Sequence, residues 1–525
     1  MQITRKRFFD VVSRAATGSA VVTALGPFAR AEAAADRSPA AAPAAANPRK
    51  KTGADIKGTT EAVIEFAAGA SLRGMPSEAQ ALGRRCLIDG LAVTLAGSTV
   101  RGSAIVREHI RTLADRPEAT VFGPEPMKAP AALAALANGA SGHAMDFDDT
   151  QLSTTPDRTY GLLTHPTVPA LSATLAVAER LDVSGALFLE AFLTGFEVEC
   201  KIAEAIEPDH YTRGFHSSGT IGTFGAAVCA AKLLKLDRAA LANMMAIASS
   251  LSAGIRVNFG SMTKPLHVAR AAENGIFAAE IAAKGFTGGA DGLDGQWGFF
   301  QVMGGGAEPD RLIGKLGRPY SIVEPGVSVK PYPCGVLSHP SMDAMLKVVA
   351  QHDIAPEQIK AVRLKAGSNI LEPLRYKTAK TELEAKFCLP FLLSSIILRR
   401  KAGIREFTDA FVASEPVQRM MARVTTVFDP AIEAMGFDKI RSVVEVDVVD
   451  GRTFVQKSDD RYRGGPDNPL TRAELHERFT DCATLTLAAP QASQALEQIE
   501  SVEKLKSIRE LTRTLTASAA SRRNG

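Results

Sequence analysis

Thr59-Thr-Glu-Ala-Val-Ile-Glu-Phe-Ala-Ala68 sets the fold of the first half of this chain. A threonine, a good capping residue, opens the stretch, and apolar side chains then recur three and four positions apart. That spacing predicts a helix with one buried face. The theme repeats. Pro76-Ser-Glu78 starts a second helix carrying Leu82, Cys86, Leu87 and Leu91. Residues 129–140, 168–180, 185–205, 221–236, 239–251 and 268–284 read the same way. Ala-Ala pairs and embedded glycines crowd these helices and let them approach closely. Strand signals are almost absent before residue 320, so this half reads as an all-α domain.

The pattern then changes. Tyr320-Ser-Ile-Val323 and Ala361-Val-Arg-Leu-Lys-Ala366 alternate like half-buried strands. Ser442-Val-Val-Glu-Val-Asp-Val-Val-Asp450-Gly451-Arg-Thr-Phe-Val455 predicts a hairpin closed by Asp-Gly. Helical runs at 340–351 and 385–399 lie between them. Thr471-Arg-Ala-Glu474 is a capping box for a helix returning to the first domain. The expected fold is mainly α. A large all-α helical domain takes residues 53–327 and 465–516, and a smaller α+β lid domain takes 328–464. A disordered tail at 517–525 closes the chain.

At 525 residues the chain is long enough for two substantial cores. A net charge of +4, with no basic stripe interleaved with aromatics, gives no reason to expect nucleic acid. The six cysteines are scattered without CxxC or zinc spacing, which argues against a disulfide framework or metal knuckle. The single Trp297 speaks against a sugar-stacking site.

The N-terminus reads as an export signal. Thr4-Arg-Lys-Arg-Phe-Phe9 supplies a basic region, residues 11–24 a mildly apolar one, and Ala29-Arg-Ala31-Glu-Ala33 a small-residue cleavage pattern. The form resembles a twin-arginine signal with Lys6 at the second arginine position. Residues 1–33 are expected to be removed, 34–52 to be an Ala/Pro-rich linker, and the mature protein to be periplasmic. The rival reading is a disordered basic tail or an uncleaved anchor. No later stretch reaches the roughly 18 uninterrupted apolar residues of a membrane span, so no membrane contact is expected after processing.

Chemistry-bearing residues gather in three distant segments: His143-Ala-Met-Asp146-Phe-Asp148-Asp149-Thr150, Gly214-Phe-His216-Ser-Ser-Gly219-Thr220 and Thr263-Lys264-Pro-Leu-His267. Asp146, Asp148 and Asp149 suit a polar pocket, a metal site of oxygen ligands, or a solvated capping loop. His165 precedes Pro166, which biases it away from helix and leaves it free to act as acid or base. His216 leads into a helix whose exposed amides favour an anion. Lys264 and His267 share one side of a helix that Pro265 starts, with Lys264 placed to reach a carboxylate. Cys334 and His339 lie in the expected lid without a known nucleophile spacing.

Read in order, these segments resemble the MmgE/PrpD family. It includes 2-methylcitrate dehydratase, cis-aconitate decarboxylase and an iminodisuccinate epimerase. Further matches are Thr164-His165-Pro166-Thr167, Gly285-Phe-Thr-Gly288, Lys330-Pro-Tyr-Pro-Cys334 and His339-Pro-Ser-Met-Asp343. The resemblance spans about residues 55–490. It implies an active site between a helical domain and a lid, usually in a homodimer, and neither metal nor organic cofactor. It also places Asp146 and Thr150 at the active site and points to His165.

The expected protein is a cofactor-independent, dehydratase-like lyase acting on a small di- or tricarboxylate by α-proton abstraction. His165 or Asp146 moves protons, and Lys264 and His216 hold carboxylates. Thr150 orients the substrate, His267 binds it or orients Lys264, and His339 closes the site from the lid. Epimerase or decarboxylase chemistry is the alternative within the family, and a catalytically silent carboxylate-binding protein or a metal-dependent hydrolase the alternative outside it. Two departures from the family pattern bear on this choice: Phe391 where relatives commonly carry tyrosine, and Gly335 where the decarboxylase carries a lid histidine.

Overall fold

The computed structural model describes residues 50–152, 162–436 and 439–516. The expected signal peptide, most of the linker and the C-terminal tail lie outside them. The longer helices of the first half are α1 (Thr59–Gly69), α2 (Ser77–Gly97), α3 (Arg101–Arg111), α4 (Ala131–His143), α5 (Thr167–Leu181), α6 (Gly185–Ile206), α7 (Gly222–Leu234), α8 (Arg238–Leu251) and α9 (Thr263–Ala283). Local chemistry starts several of them. Ser184 accepts from the Leu187 amide at the start of α6, and Asp237 from the Ala240 amide at the start of α8. Such caps contribute about 0.5–2 kcal/mol each.

Helix α9 packs against α4 and α7, and α7 packs against α5 and α6. Small residues make these crossings possible. A Cβ placed on Gly275 of α9 would stand 2.5 Å from the Ala226 Cβ of α7. One on Gly139 of α4 would stand 3.0 Å from the Ala269 Cα of α9. No side chain fits either gap. The close approach fixes the first turn of α9 relative to the C-terminal end of α4, and the chemistry gathers there.

Two hydrophobic cores result. The first runs from Ile56 to Val329 and takes up the chain again from Leu470 to Leu515. The second runs from Tyr332 to Val448 and also takes Tyr211 and Phe259. The returning helix, α12 (Arg472–Ala483), carries the expected capping box and packs against α2. Between them come α10 (His339–Gln351) and α11 (Leu389–Arg399). The fold is thus mainly helical, with a small mixed sheet in the C-terminal part.

Two short antiparallel pairs precede residue 320: β1 (Ala119–Val121) with β2 (Met127–Ala129), and β3 (Gln151–Leu152) with β4 (Leu162–Thr164). They are too short to leave a period-two signal in sequence. The second core holds a four-stranded sheet ordered β6-β5-β7-β8, from β5 (Ile359–Ala366), β6 (Val424–Phe428), β7 (Ser442–Val448) and β8 (Thr453–Lys457). β5 pairs parallel with β6 and antiparallel with β7. The Asp450-Gly451 hairpin forms as expected, with Gly451 at φ 93° and Asp450 accepting from the Arg452 amide.

The expectation of a strand at Tyr320–Val323 fails. The segment is a turn in which the Val323 amide donates to the Tyr320 carbonyl. Its other needs are met by side chains: the Ser321 amide donates to Glu197 Oε2 at 2.6 Å, and Tyr320 packs edge-on against Phe66. Apolar alternation there reflects burial against the helices. Pro319 and Pro325 have no amide hydrogen for a ladder.

Candidate active site

His143 is the last residue of α4, and the chain turns sharply after it. Asp146 takes the left-handed conformation, φ 50°, which aspartate tolerates better than most residues. The turn sends the neighbouring carboxylates to three different partners. Asp146 Oδ1 accepts from Lys264 Nζ at 2.7 Å and from Lys330 Nζ at 3.1 Å. Asp148 accepts from His143 Nδ1 at 2.8 Å. Asp149 accepts from the Thr167 hydroxyl at 2.6 Å and from the Thr167 amide at 3.3 Å, at the start of α5.

His165 is set by the same turn. Its Nδ1 lies 2.8 Å from the Asp149 carbonyl and 2.9 Å from the Thr150 hydroxyl, and its amide donates to Ser218 Oγ. A carbonyl only accepts, so the proton sits on Nδ1 and the Nε2 lone pair is left for chemistry. Thr150 is itself locked by paired backbone bonds to Ser328. His216 and His267 meet through their Nδ1 atoms at 3.1 Å. The ring centroids of His143 lie 5.1 Å from His165 and 5.4 Å from His216.

Lys264 is 4% exposed, in the first turn of α9 where Pro265 was expected to start it. Its ammonium lies 5.1 Å from the Phe259 ring centroid and 5.3 Å from that of Phe387, two rings of the second core. His339 heads α10, with Nε2 3.3 Å from the Cys334 carbonyl and its ring edge-on to Tyr332. It makes no direct bond to the group around Asp146 among the described residues. Asp146, Thr150, His165, His216, His267 and Lys264 are thus brought together, and His339 stands on the side of the second core.

Burial shapes the charges. It pushes the Asp146 carboxyl up, but the Lys264 and Lys330 ammoniums outweigh it and hold Asp146 well below the usual carboxylate range. Burial, with Lys330 nearby, drops His165 to about 3, and burial lowers His143 and His216 as well. Burial lowers Lys264 despite its Asp146 partner. Burial and the Asp89 charge raise Asp149 to about 7. The site therefore presents neutral imidazoles beside a carboxylate anchored by the Lys264 and Lys330 side chains. Among the described residues, His143 Nε2, His216 Nε2 and Asp146 Oδ2 are buried with no hydrogen-bond partner. Such groups cost about 1–3 kcal/mol each, which a polar ligand would recover.

The sequence reading gave no site role to His143 or Lys330. Lys330 is fully buried and also donates to the Asp146 carbonyl at 2.9 Å. The Lys-Pro-Tyr-Pro segment was visible, but nothing local said that its lysine points inward. Arg478 of α12 was missed as well. It pairs with Asp89 at 2.6 Å, donates to the carbonyls of Phe147 and Lys330, and lies over the Phe147 ring. It therefore braces the turn and the segment carrying Lys330 from behind. Cys334 is no nucleophile: burial pushes its thiol up to about 12. Phe391 lies in the second core against Phe407 and Phe411. Gly335 is tight, since a Cβ there would stand 2.9 Å from Leu374 Cδ2.

Ring nitrogens of His143, His165 and His216 lie within 4.8 Å of one another, as do ligand atoms of His143, Asp146 and Asp148. That spacing would let either group share one cation. Lys264 and Lys330 already neutralise Asp146, and Asp148 already serves His143, which weighs against the second group as a metal site.

Comparison with known proteins agrees with this architecture. Residues 61–312 match the MmgE/PrpD N-terminal domain and residues 332–504 the MmgE/PrpD C-terminal domain. The chain is 26% identical over 443 residues to cis-aconitate decarboxylase of Homo sapiens, covering 82% of this chain and 89% of the relative. It is 25% identical over 436 residues to the Mus musculus enzyme, covering 81% and 86%. It is 25% identical over 316 residues to that of Aspergillus terreus, covering 58% and 63%. With both domain models matched in order across most of its length, the chain belongs to the MmgE/PrpD family.

Proposed function

We propose that this protein is a cofactor-independent lyase that removes water from a small di- or tricarboxylate after abstracting a proton next to a carboxylate. The observation that carries the reading is the Lys264–Asp146–Lys330 group set against neutral imidazoles. Deprotonation beside a carboxylate builds charge on an already anionic group. Ammoniums in a dry site stabilise that charge far better than water does. His165 Nε2 is the base, Lys264 binds a carboxylate and the developing charge, and Thr150 and His216 orient the substrate. His267 supports His216 from behind, and His339 closes the site.

Decarboxylation is the second reading. It is favoured by the relatives, which are named cis-aconitate decarboxylases. Against it stands Gly335 where the resemblance places the decarboxylase's lid histidine, unless a small shift brings His339 to that place; a Cβ at Gly335 would stand 2.9 Å from Leu374 Cδ2. The test is incubation with 2-methylcitrate, citrate and cis-aconitate in deuterated buffer, followed by NMR and carbon dioxide detection. Water loss from a hydroxy acid supports the first reading, and carbon dioxide from cis-aconitate alone replaces it with the second. Deuterium entry without net conversion points to an epimerase, and binding with neither to a silent carboxylate binder.

We also propose export to the periplasm on the strength of residues 1–33, and a homodimer. An exposed apolar hollow of about 600 Å³, lined by Phe277, Ile281, Phe286 and Trp297, supports the dimer. Light scattering of the purified protein tests it. Among the described residues no helix is long and apolar enough to cross a membrane.

A further inference from the structure

We propose that His143, held by Asp148, is the second proton-transfer residue of this site, the acid that works opposite His165. The inference rests on the lyase reading above. Both oxygens of Asp148 lie on His143 Nδ1, at 2.8 and 2.9 Å. A carboxylate only accepts, so Nδ1 carries a proton and Nε2 is the exchanging atom. Nε2 is buried and unpartnered, and the His143 ring is centred 5.1 Å from that of His165. His216 also has an unpartnered Nε2, but its Nδ1 faces another imidazole. Among the described residues of the site, His143 is the histidine with a carboxylate hydrogen-bonded behind it to stabilise an imidazolium.

The groups facing His143 set the direction of its proton. Burial lowers it most; Asp148 and Asp146 oppose that, and Lys264 adds to it. His165 and His216 complete its surroundings. A bound polyanion offsets the lysine charge, so His143 takes up one proton from solvent as substrate binds. The reaction then balances. His165 Nε2 takes the α-proton, and the C–H electron pair first delocalises into the adjacent carboxylate and then becomes the new carbon–carbon double bond. The C–O bond breaks, and the Nε2 proton of His143 leaves with the oxygen as water. His143 ends neutral and His165 protonated, and loss of that proton to solvent resets the site. No oxidant or reductant takes part. Asp148 is the positioning residue of the pair.

The experiment has two arms on the full-length protein. The first needs no turnover. Tricarballylate, which has no hydroxyl to lose, is titrated calorimetrically in buffers of different ionisation enthalpy. The unmutated protein is expected to take up protons on binding, and H143Q and D148N to take up about one fewer. ¹⁵N-histidine spectra of the unmutated protein should show one imidazole becoming imidazolium in the complex, absent in H143Q. The spectrum of the unmutated protein stands as the test where a variant does not fold. Uptake unchanged in H143Q, or no imidazolium in the complex, overturns the proposal.

The second arm uses the hydroxy acid that the unmutated protein dehydrates. H143Q is expected to lower dehydration about 10²–10⁴-fold, with a much smaller loss of α-proton exchange, while H165Q loses both. D148N should shift the acid limb of the pH profile, which a packing defect alone would not do. Near-normal dehydration by H143Q overturns the proposal. So does an equal loss of exchange and dehydration in H143Q. If proton uptake depends on His143 but the unmutated protein dehydrates nothing, the proton-binding role stands and the lyase reading alone falls.

Discussion

Lys264 Nζ donates to Asp146 Oδ1 at 2.7 Å across 118 residues of sequence, and Lys330 donates to that same oxygen. One carboxylate oxygen thus anchors two buried ammoniums. For Lys264 it opposes the burial that lowers the ammonium. The second oxygen of Asp146 is buried and has no hydrogen-bond partner.

The two lysines should separate in their effects. Lys264→Ala leaves Asp146 paired with Lys330, so the fold should persist while tricarboxylate affinity drops and turnover falls about 10²–10³-fold, the range for losing one such electrostatic group. Lys330→Met also strands the Asp146 carbonyl, and should cost about 3–5 kcal/mol of stability. Chemical denaturation and steady-state kinetics on both variants check this.

His165 carries no charge in the free protein and should act in proton transfer rather than binding. His165→Gln is expected to cut turnover about 10²–10⁴-fold with little change in affinity, and to abolish α-deuterium entry. If exchange and turnover persist, Asp146 becomes the leading base.

Binding should depend on pH with a defined sign. Burial holds His165 near 3 and His267 near 4 in the free protein. A bound polyanion offsets the lysine charge beside His143, so binding takes up a proton on His143 while His165 stays neutral, and affinity falls as pH rises. Dissociation constants for tricarballylate measured across about pH 6 to 8 should increase with pH. A flat profile would mean that the histidines do not sense the ligand.

Phe391→Tyr should leave activity unaltered. Its ring is enclosed by Phe407 and Phe411, so the added hydroxyl would be buried without a partner. The expected loss is about 1–3 kcal/mol of stability, read from thermal and urea unfolding.

Replacing Arg5 and Lys6 together by glutamine should hold the precursor inside the cell. Fractionation and N-terminal sequencing check this, with the processed chain expected to begin near Glu32 or Ala34. Unchanged periplasmic yield would remove the twin-arginine reading.

Sequence alone determined the helices, because their apolar faces and starting residues are local. Thr471 and Glu474 form the capping box of α12 and Pro265 sits in the first turn of α9, whereas α1 starts at Thr59 without the expected threonine cap, its N-cap being Gly58 at φ 92°. It also determined the Asp450-Gly451 hairpin, since the turn needs a residue tolerant of positive φ. It marked the polar segments holding Asp146, His165, His216 and Lys264, because polar residues stand out in an Ala-rich chain. Alternation misled at Tyr320, where burial against helices imitates a strand.

Tertiary structure decided what those polar groups do. Only the close approach of α4 and α9, allowed by Gly139, brings Lys264 to Asp146. Lys330 and Arg478 carry no local sign of burial, yet the returning α12 presses Arg478 onto the carbonyls of Phe147 and Lys330. The histidines become neutral bases because folding removes water from them, and desolvation is a property of the whole enclosure. No short stretch of sequence contains it, which is why spacing could name the candidates but not their charge states or partners.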